Sequence, residues 1–542
     1  MRLKAVFKRL NFFKTPYTAG GGRTHGLLFN SHINQMKLIF SFVSLIVFFA
    51  ACSSVKKQPE SAISFKEPHR PQLHFTPATG WMNDPNGMVY YNGTYHLFYQ
   101  HYPDSTVWGP MHWGHATSTD MVHWTHQPIA LYPDSLGYIF SGSAVVDSFN
   151  TSGFGKNGKT PLVAIFTHHD PKGEKAGRND FQVQSLAYSL DEGKTWTKYS
   201  GNPVLNNPGI RDFRDPKVSW HEPTKKWIMT LATLDHVTFY SSPNLKDWTR
   251  ESAFGNEAGA HGGVWECPDL FPLDYNGEKV WVLIVNINPG GPNGGSATQY
   301  FTGTFDGHTF TPYGTDTRWL DYGPDDYAGI TWSNTGHRKI FLGWMSNWQY
   351  ANVVPTEKWR SATTVARDLS LEKMGTEFRV RSLPVPELNA IAGKPVILEN
   401  IDATNYELRV KTGKLNGPVQ VKITADTIKS FSISFSNSSG EKVLVGYDKS
   451  SNQYYIDRTA SGKTAFEKSF AAKPGAPRLS TASNLDMVLV LDVASVELFA
   501  DNGLSVMTSV FFPNASYENV SLQSADHLKI KSLQYTPLNR IW

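Results

Sequence analysis

The chain has 542 residues, more than one small core needs; at about 150 residues per domain it allows two to four domains, fewer if one is a large all-β unit. Seven of its 51 Lys and Arg, but none of its 47 Asp and Glu, fall in residues 1–52, so the net charge of +4 becomes −3 for the remainder and no basic surface is left to suggest nucleic acid as a partner. Aromatic side chains make up 13% of the residues and apolar runs at helical spacing are scarce, which points to an all-β fold.

Met36-Lys37 is followed by an apolar run from Leu38 to Ala51, too short for the roughly 20 residues of a membrane span and matching a secretory signal. Ala50-Ala51-Cys52-Ser53 is similar to the cleavage box of bacterial lipoproteins. Cys52 is therefore expected to carry lipid and to anchor an exported protein at the periplasmic face or cell surface of a Gram-negative-type bacterium. Cys267 is the only other cysteine, so no intrachain disulfide is expected. Residues 1–35 hold six Lys or Arg without an acid and fit no domain, and Met36 reads as the start of translation. Residues 53–68 are polar and read as a tether.

From residue 69 a turn-rich aromatic pattern begins. Ser118 to Trp124, Ser189 to Trp196 and Ser242 to Trp248 repeat one hairpin element, and Phe305 to Phe310 is a weaker copy. The closing aromatics lie 72, 52 and 62 residues apart, the length of a four-stranded propeller blade with its loops, and four to six blades fit in residues 69–375. Within that span Trp81-Met82-Asn83-Asp84-Pro85-Asn86-Gly87 reads as a sharp turn carrying Asp84 beside apolar side chains. Gln100 and Trp108 follow the next hairpin. In Phe140-Ser141-Gly142-Ser143 the glycine would let backbone approach a ligand. Arg211-Asp212-Phe213-Arg214-Asp215-Pro216 reads as a second Asp-Pro turn with a guanidinium beside the carboxylate, and Val264 to Asp269 as a strand ending at Pro268, with Glu266 pointing away from Trp265 and Cys267. Pro384 and Pro386 mark residues 376–395 as a linker. Alternating runs over 396–542, such as Phe431 to Ser436, predict a β-sandwich.

Asp84, Asp215 and Glu266 are 131 and 51 residues apart, so only the fold can unite them. No metal-ligand spacing and no Gly-rich phosphate loop accompanies them, and neither a metal nor a cofactor is expected. Taken in order, Trp81 to Gly87, Phe140 to Ser143, Phe213 to Pro216, Trp265 to Pro268, Leu342 to Trp348 and Ser495 to Phe499 resemble the motifs of glycoside hydrolase family 32, which includes invertases, levanases and inulinases. The resemblance implies a five-bladed β-propeller joined to a β-sandwich. It implies a retaining β-fructofuranosidase acting on fructans or sucrose, with Asp84 as nucleophile, Glu266 as acid/base and Asp215 holding sugar hydroxyls. Asn83, Gln100, Trp108, Phe140, Ser141, Arg214 and Trp344 match positions lining the family's fructose pocket. Two carboxyl groups about 5 to 5.5 Å apart suit retention, Asp84 should make Glu266 hold its proton, and Arg214 should keep Asp215 ionised. The Asn-Asp-Pro-Asn form of the first motif favours release of fructose from chain ends, with endo cleavage as the alternative. Ser189 to Trp196 also fits the Asp-box hairpin of sialidases, which the five ordered motifs from Trp81 to Trp348 outweigh, and a non-catalytic fructan-binding lipoprotein is the reading from another class. Oligomeric state, linkage preference and membrane face stay open.

Overall fold

The computed structural model describes residues 64–542; the signal segment and the lipidation site expected at Cys52 lie outside the described residues. Nearly every regular element there is a strand, the exceptions being the short helices Pro171–Lys175 and Arg409–Thr412 and the 3₁₀ turn Pro386–Ile391. The strands form seven sheets, of which the first five are the blades of a propeller. Each blade begins at the centre with one strand: Gly80–Tyr91 in blade I, Tyr138–Val146 in II, Phe213–His221 in III, Val264–Tyr275 in IV and Tyr327–Thr331 in V. These five strands touch one another in order and the fifth touches the first, so the ring is closed. Trp359–Arg360, reached by a long excursion of blade V, pairs in parallel with Gly80 and Trp81 and ties the last blade to the first.

The repeated hairpin element occupies one place in the first four blades, the turn from third to fourth strand. In blade I Ser118 Oγ accepts from the Met121 amide at 2.8 Å and Asp120 Oδ1 from the Val122 and His123 amides at 2.9 and 2.8 Å, so side chains satisfy the backbone that the tight turn frees. Blade III repeats this with Asn244 Oδ1 accepting from Lys246 and Asp247.

Two six-stranded sheets form the sandwich that follows. Along Phe431–Ser436 buried and half-buried residues alternate, as the pleat requires, and Ile433 and Phe435 meet Val421, Ile423, Leu489 and Leu498 of the facing sheet in a single core. Each such side chain contributes about 1.5–3 kcal/mol by leaving water. Propeller and sandwich are joined by a sealed ionic cluster. Arg367 of blade V pairs with Asp321, Asp326 and Glu497 at 2.9, 3.3 and 2.6 Å, all four side chains fully buried, and His74 bridges Asp492 and Glu497 at 2.9 and 2.8 Å.

Two boundaries differ from the sequence reading. The stretch taken as a linker contains Glu377–Pro384, the outer strand of blade V, paired antiparallel with Arg367–Met374. Phe378, Val380 and Ser382 point inward and alternate with the half-buried Glu377, Arg379, Arg381 and Leu383, and Pro384 stands only at the strand's end, where no ladder hydrogen bond is lost. The end of the expected tether is also ordered by contact: Phe65 stacks on the C-terminal Trp542 at 4.3 Å, and Glu67 pairs with buried Arg70.

Candidate active site

Each of the five inner strands slips register near its start: between Asn83 and Pro85 (and again between Asn86 and Val89), Ile139 and Gly142, Arg214 and Lys217, Glu266 and Asp269, and Tyr327 and Ile330. Such bulges add an unpaired residue and re-aim its side chain, and here they turn Asp84, Ser141, Asp215 and Cys267 into one cluster. The Asp-Pro stretches around Asp84 and Asp215 are thus bulged strand and not the turns that their composition suggested. Proline is accepted because the inner strand is the edge of its sheet at that level and needs no further N–H donor. Pro268, likewise, does not end its strand, which runs on to Tyr275. Asp215 and Cys267 hold φ values of 64° and 43°, unusual for residues with a side chain and costing about 1–3 kcal/mol each. The turn of Cys267 also breaks alternation, so that Glu266 and Cys267 both reach the cluster.

Two glycines are fixed by packing. Gly87 has φ 57°, and a Cβ there would lie 2.6 Å from the Trp113 ring. At Gly142 a Cβ would lie 2.1 Å from the Ile165 carbonyl oxygen, so the missing side chain admits the neighbouring strand and not, as the sequence suggested, a ligand.

The cluster lies in a cavity of about 430 Å³ lined by Asn83, Asp84, Gln100, Trp108, Phe140, Ser141, Arg214, Asp215 and Glu266, nine of the ten residues singled out from sequence as catalytic or substrate-binding. The tenth, Trp344, is fully buried beneath the wall and packs on Trp81 and Trp348; it is Trp348, four residues on in the same motif, that faces the cavity. Trp344, assigned to the pocket only by resemblance, closes the strand Lys339–Trp344 with its side chain in the core, whereas Trp348 stands in the loop beyond it.

Hydrogen bonds hold the acids. Buried Trp81 Nε1 donates to Asn83 Oδ1 at 2.7 Å, which leaves the Asn83 amide nitrogen to donate to Asp84 Oδ1 at 2.8 Å; Ser141 Oγ donates to Asp84 Oδ2 at 2.7 Å. Asp215 Oδ2 accepts from the Cys267 amide at 3.0 Å, and the Cys267 thiol lies 3.7 Å from Asp84 Oδ2 and 3.6 Å from Asp215 Oδ2. Glu266 Oε1 accepts from Arg214 Nε and Nη2 at 3.1 and 2.9 Å, while Tyr327 OH donates to Oε2. Gln100 Nε2 is buried with no partner in the protein, a donor free for a ligand.

The arginine therefore pairs with Glu266 and with Asp212, at 2.6 Å, where the sequence had placed it with Asp215. The positive φ at Asp215 aims that carboxyl at the cavity floor and leaves the guanidinium on the side of blade IV. Burial pushes Asp215 up; Arg214 opposes this but the charges of Glu266 and Asp84 add to it, and the group settles at about 7. Burial and then the charge of Glu266 raise Asp84 as well, while Ser141 and Asn83 pull it back.

Several lining residues escaped the sequence reading: His169, Glu174, Phe181, Gln182, Asp212, Asn288, Trp348 and Asn352. Asp212 and Trp348 stand inside motifs already noticed. His169 and Glu174 come from a hairpin connection with no motif, so only the fold could reveal them.

A closed ring of blades that brings three carboxyl groups, Asp84, Asp215 and Glu266, to one cavity has the arrangement a glycoside-cleaving enzyme needs. Residues 74–382 match the glycosyl hydrolases family 32 N-terminal domain and residues 387–537 that family's C-terminal domain. The chain belongs to glycosyl hydrolases family 32 and is a glycosidase. It is 46% identical over 492 residues to a levanase of Bacillus subtilis, covering 88% of this chain and 72% of that one. To an extracellular exo-inulinase of Aspergillus awamori it is 40% identical over 503 residues, covering 85% and 93%. The crystal structure of exo-inulinase from Aspergillus awamori superposes with a TM-score of 0.80 at 36% identity over 88% of this chain and all of that one. A fructofuranosidase from Schwanniomyces occidentalis complexed with fructose gives 0.80 at 34% identity, covering 88% and 100%.

Proposed function

We infer that this glycosidase removes terminal β-D-fructofuranosyl residues from fructans and sucrose and releases fructose. The observation that carries the reading is the grading of the cavity: Asn83, Gln100, Ser141 and Asp215 on its floor are nearly fully buried, and Trp108 and Asn352 at its rim are exposed. A terminal sugar reaching Asp84 meets polar groups on the floor and no exit beyond, whereas cutting within a chain needs an open cleft.

Asp84 is assigned the attack on the anomeric carbon. Oδ1 accepts from Asn83, and Oδ2 from Ser141 and, at longer range, the Cys267 thiol; these neutral donors orient the carboxylate, and Oδ1 keeps a lone pair for the new bond. Glu266 gives its proton to the departing oxygen and takes one from water in the second half-reaction; Arg214 and Tyr327 fix both of its oxygens and steady the carboxylate each time it forms. Asp215, held by the Cys267 amide, accepts from ring hydroxyls as positive charge develops on the sugar. Early digests of levan or inulin should contain fructose with average polymer length falling slowly; a ladder of short oligosaccharides in the first minutes would instead mean endo cleavage.

The relative named above as extracellular supports export, and the segment before the fold supports a lipid anchor at Cys52 with translation from Met36. Cys52→Ala should move the enzyme from the membrane fraction to the soluble one, and mass spectrometry of an unmodified chain beginning before Met36 would end that assignment.

A further inference from the structure

The connection between the second and third strands of blade II is a built wall of the cavity, and nothing above gives it a task. Asp170 accepts from the Lys172 amide at 3.0 Å and starts the helix Pro171–Lys175, and the Asp170 amide bonds to the Phe181 carbonyl at 2.8 Å, closing the segment on itself. His169 is buried at its base and stacks flat on Phe140 at 4.2 Å with 7° between the rings. The tautomer of His169 follows from its neighbours. Gln182 Oε1 accepts from the Phe213 amide at 2.8 Å, so its amide nitrogen must face His169 Nδ1, 3.3 Å away, and Nδ1 must accept. The ring proton is then on Nε2, which donates to Glu174 Oε2 at 3.1 Å. The second oxygen, Oε1, receives Arg211 Nη2 at 3.3 Å, and Arg211 lies over the Phe181 ring.

Glu174 is thus an oriented carboxylate, 41% exposed, on the cavity wall, with a half-exposed guanidinium beside it. Its place follows from the chain of contacts Glu174, His169, Gln182, Arg214, Glu266, the Gln182 to Arg214 step being 3.5 Å. That chain puts it on the same side as the acid, and higher, since Glu266 is 21% exposed. The acid must lie at the oxygen of the bond that breaks, so the sugar that departs lies between Glu266 and the rim.

We propose that Glu174, oriented by His169 and flanked by Arg211, binds the hydroxyl groups of the departing sugar and sets which leaving saccharides the enzyme accepts. The proposal rests on the assignment of Glu266 as acid. A carboxylate with one lone pair of each oxygen already used still offers the others to adjacent hydroxyls, and the guanidinium adds donors for sugar oxygens.

The test compares sucrose, whose leaving group is a sugar, with methyl β-D-fructofuranoside, whose leaving group is methanol, in wild type, Glu174→Ala, Glu174→Gln and Arg211→Ala. Glu174→Ala should lower kcat/KM for sucrose roughly tenfold or more beyond its effect on the methyl glycoside, mainly through KM, as loss of a charged hydrogen bond predicts. Glu174→Gln should keep part of that selectivity, and inhibition by fructose, which reports the floor, should move less than the KM for sucrose. Equal losses on both glycosides, or none on either, would overturn the proposal, and thermal melting identifies any variant that fails to fold. Failure of wild type to cleave either glycoside would overturn the fructosidase reading itself, a distinct outcome.

Discussion

The cavity floor and the junction between propeller and sandwich are built from the same materials to opposite ends. Both bury acids around an arginine. At the junction Glu497 is fully buried, yet the charges of Arg367 and His74 overcome the burial and hold its carboxyl below the usual range. On the floor Asp84 receives only neutral donors and faces the like charge of Glu266, so burial prevails and the group is raised. Burial is common to Glu497 and Asp84, and between these two the charge of the hydrogen-bond donors makes the difference. The junction is not uniformly satisfied: Asp326 is pushed up by burial against Arg367, with Asp321 and Glu497 adding to the rise, and keeps one oxygen unpartnered. The difference is that the junction is sealed, whereas the floor leaves oxygens open to a ligand.

The strongest way to break the contrast is at the floor. Asp84→Ala should lower kcat about 10⁴-fold or more on every substrate, because no covalent intermediate can form. Glu266→Ala should cost about 10²–10⁴-fold on sucrose and much less with an activated leaving group, which needs little protonation. Modest, equal losses from both substitutions, measured by steady-state kinetics, would place the chemistry elsewhere.

At the junction the cost should appear in stability. Arg367→Ala strands buried carboxylates and should lower unfolding free energy by about 3–5 kcal/mol in denaturant titrations, with kcat of the remaining folded enzyme little changed. A large fall in kcat with unaltered stability would erase the distinction between the two regions.

A smaller effect is expected from pH. Burial alone would lower His74, but its hydrogen bonds to Asp492 and Glu497 raise it to about 9 from the usual 6.5. The stabilisation is therefore complete below pH 6.5 and lost as pH rises through 9, an amount of about 3 kcal/mol. Unfolding titrations at pH 6 and pH 10 should show that loss in wild type and a flatter response in His74→Gln.

The smallest effect sharpens the floor. Ser141→Ala removes one of the neutral donors that hold Asp84 down, so the acidic limb of kcat/KM should move to higher pH by roughly half a unit to one, the equivalent of about 1 kcal/mol. A shift toward lower pH would mean that Ser141 does not favour the ionised form.

What the sequence determined by itself is what local chemistry dictates. Alternation marked the sandwich strands and the Ser/Asp hairpins between third and fourth strands marked the blades, because a turn or a pleat is settled by neighbours a few residues away; the acids Asp84, Asp215 and Glu266 were marked only by the resemblance of their motifs to those of a known family. Glu497 stood inside a noticed motif as well, but nothing local says that its side chain pins two domains together. The tertiary structure alone decided what lies between distant segments: that Arg214 binds Glu266 and not Asp215, that Trp348 and not Trp344 forms the wall, that Asp-Pro segments are bulged strands, and that His169 and Glu174 reach the cavity. Each depends on a register slip or a crossing of chains far apart in sequence, and side-chain direction after a bulge follows from the partner strand, which the local sequence does not name.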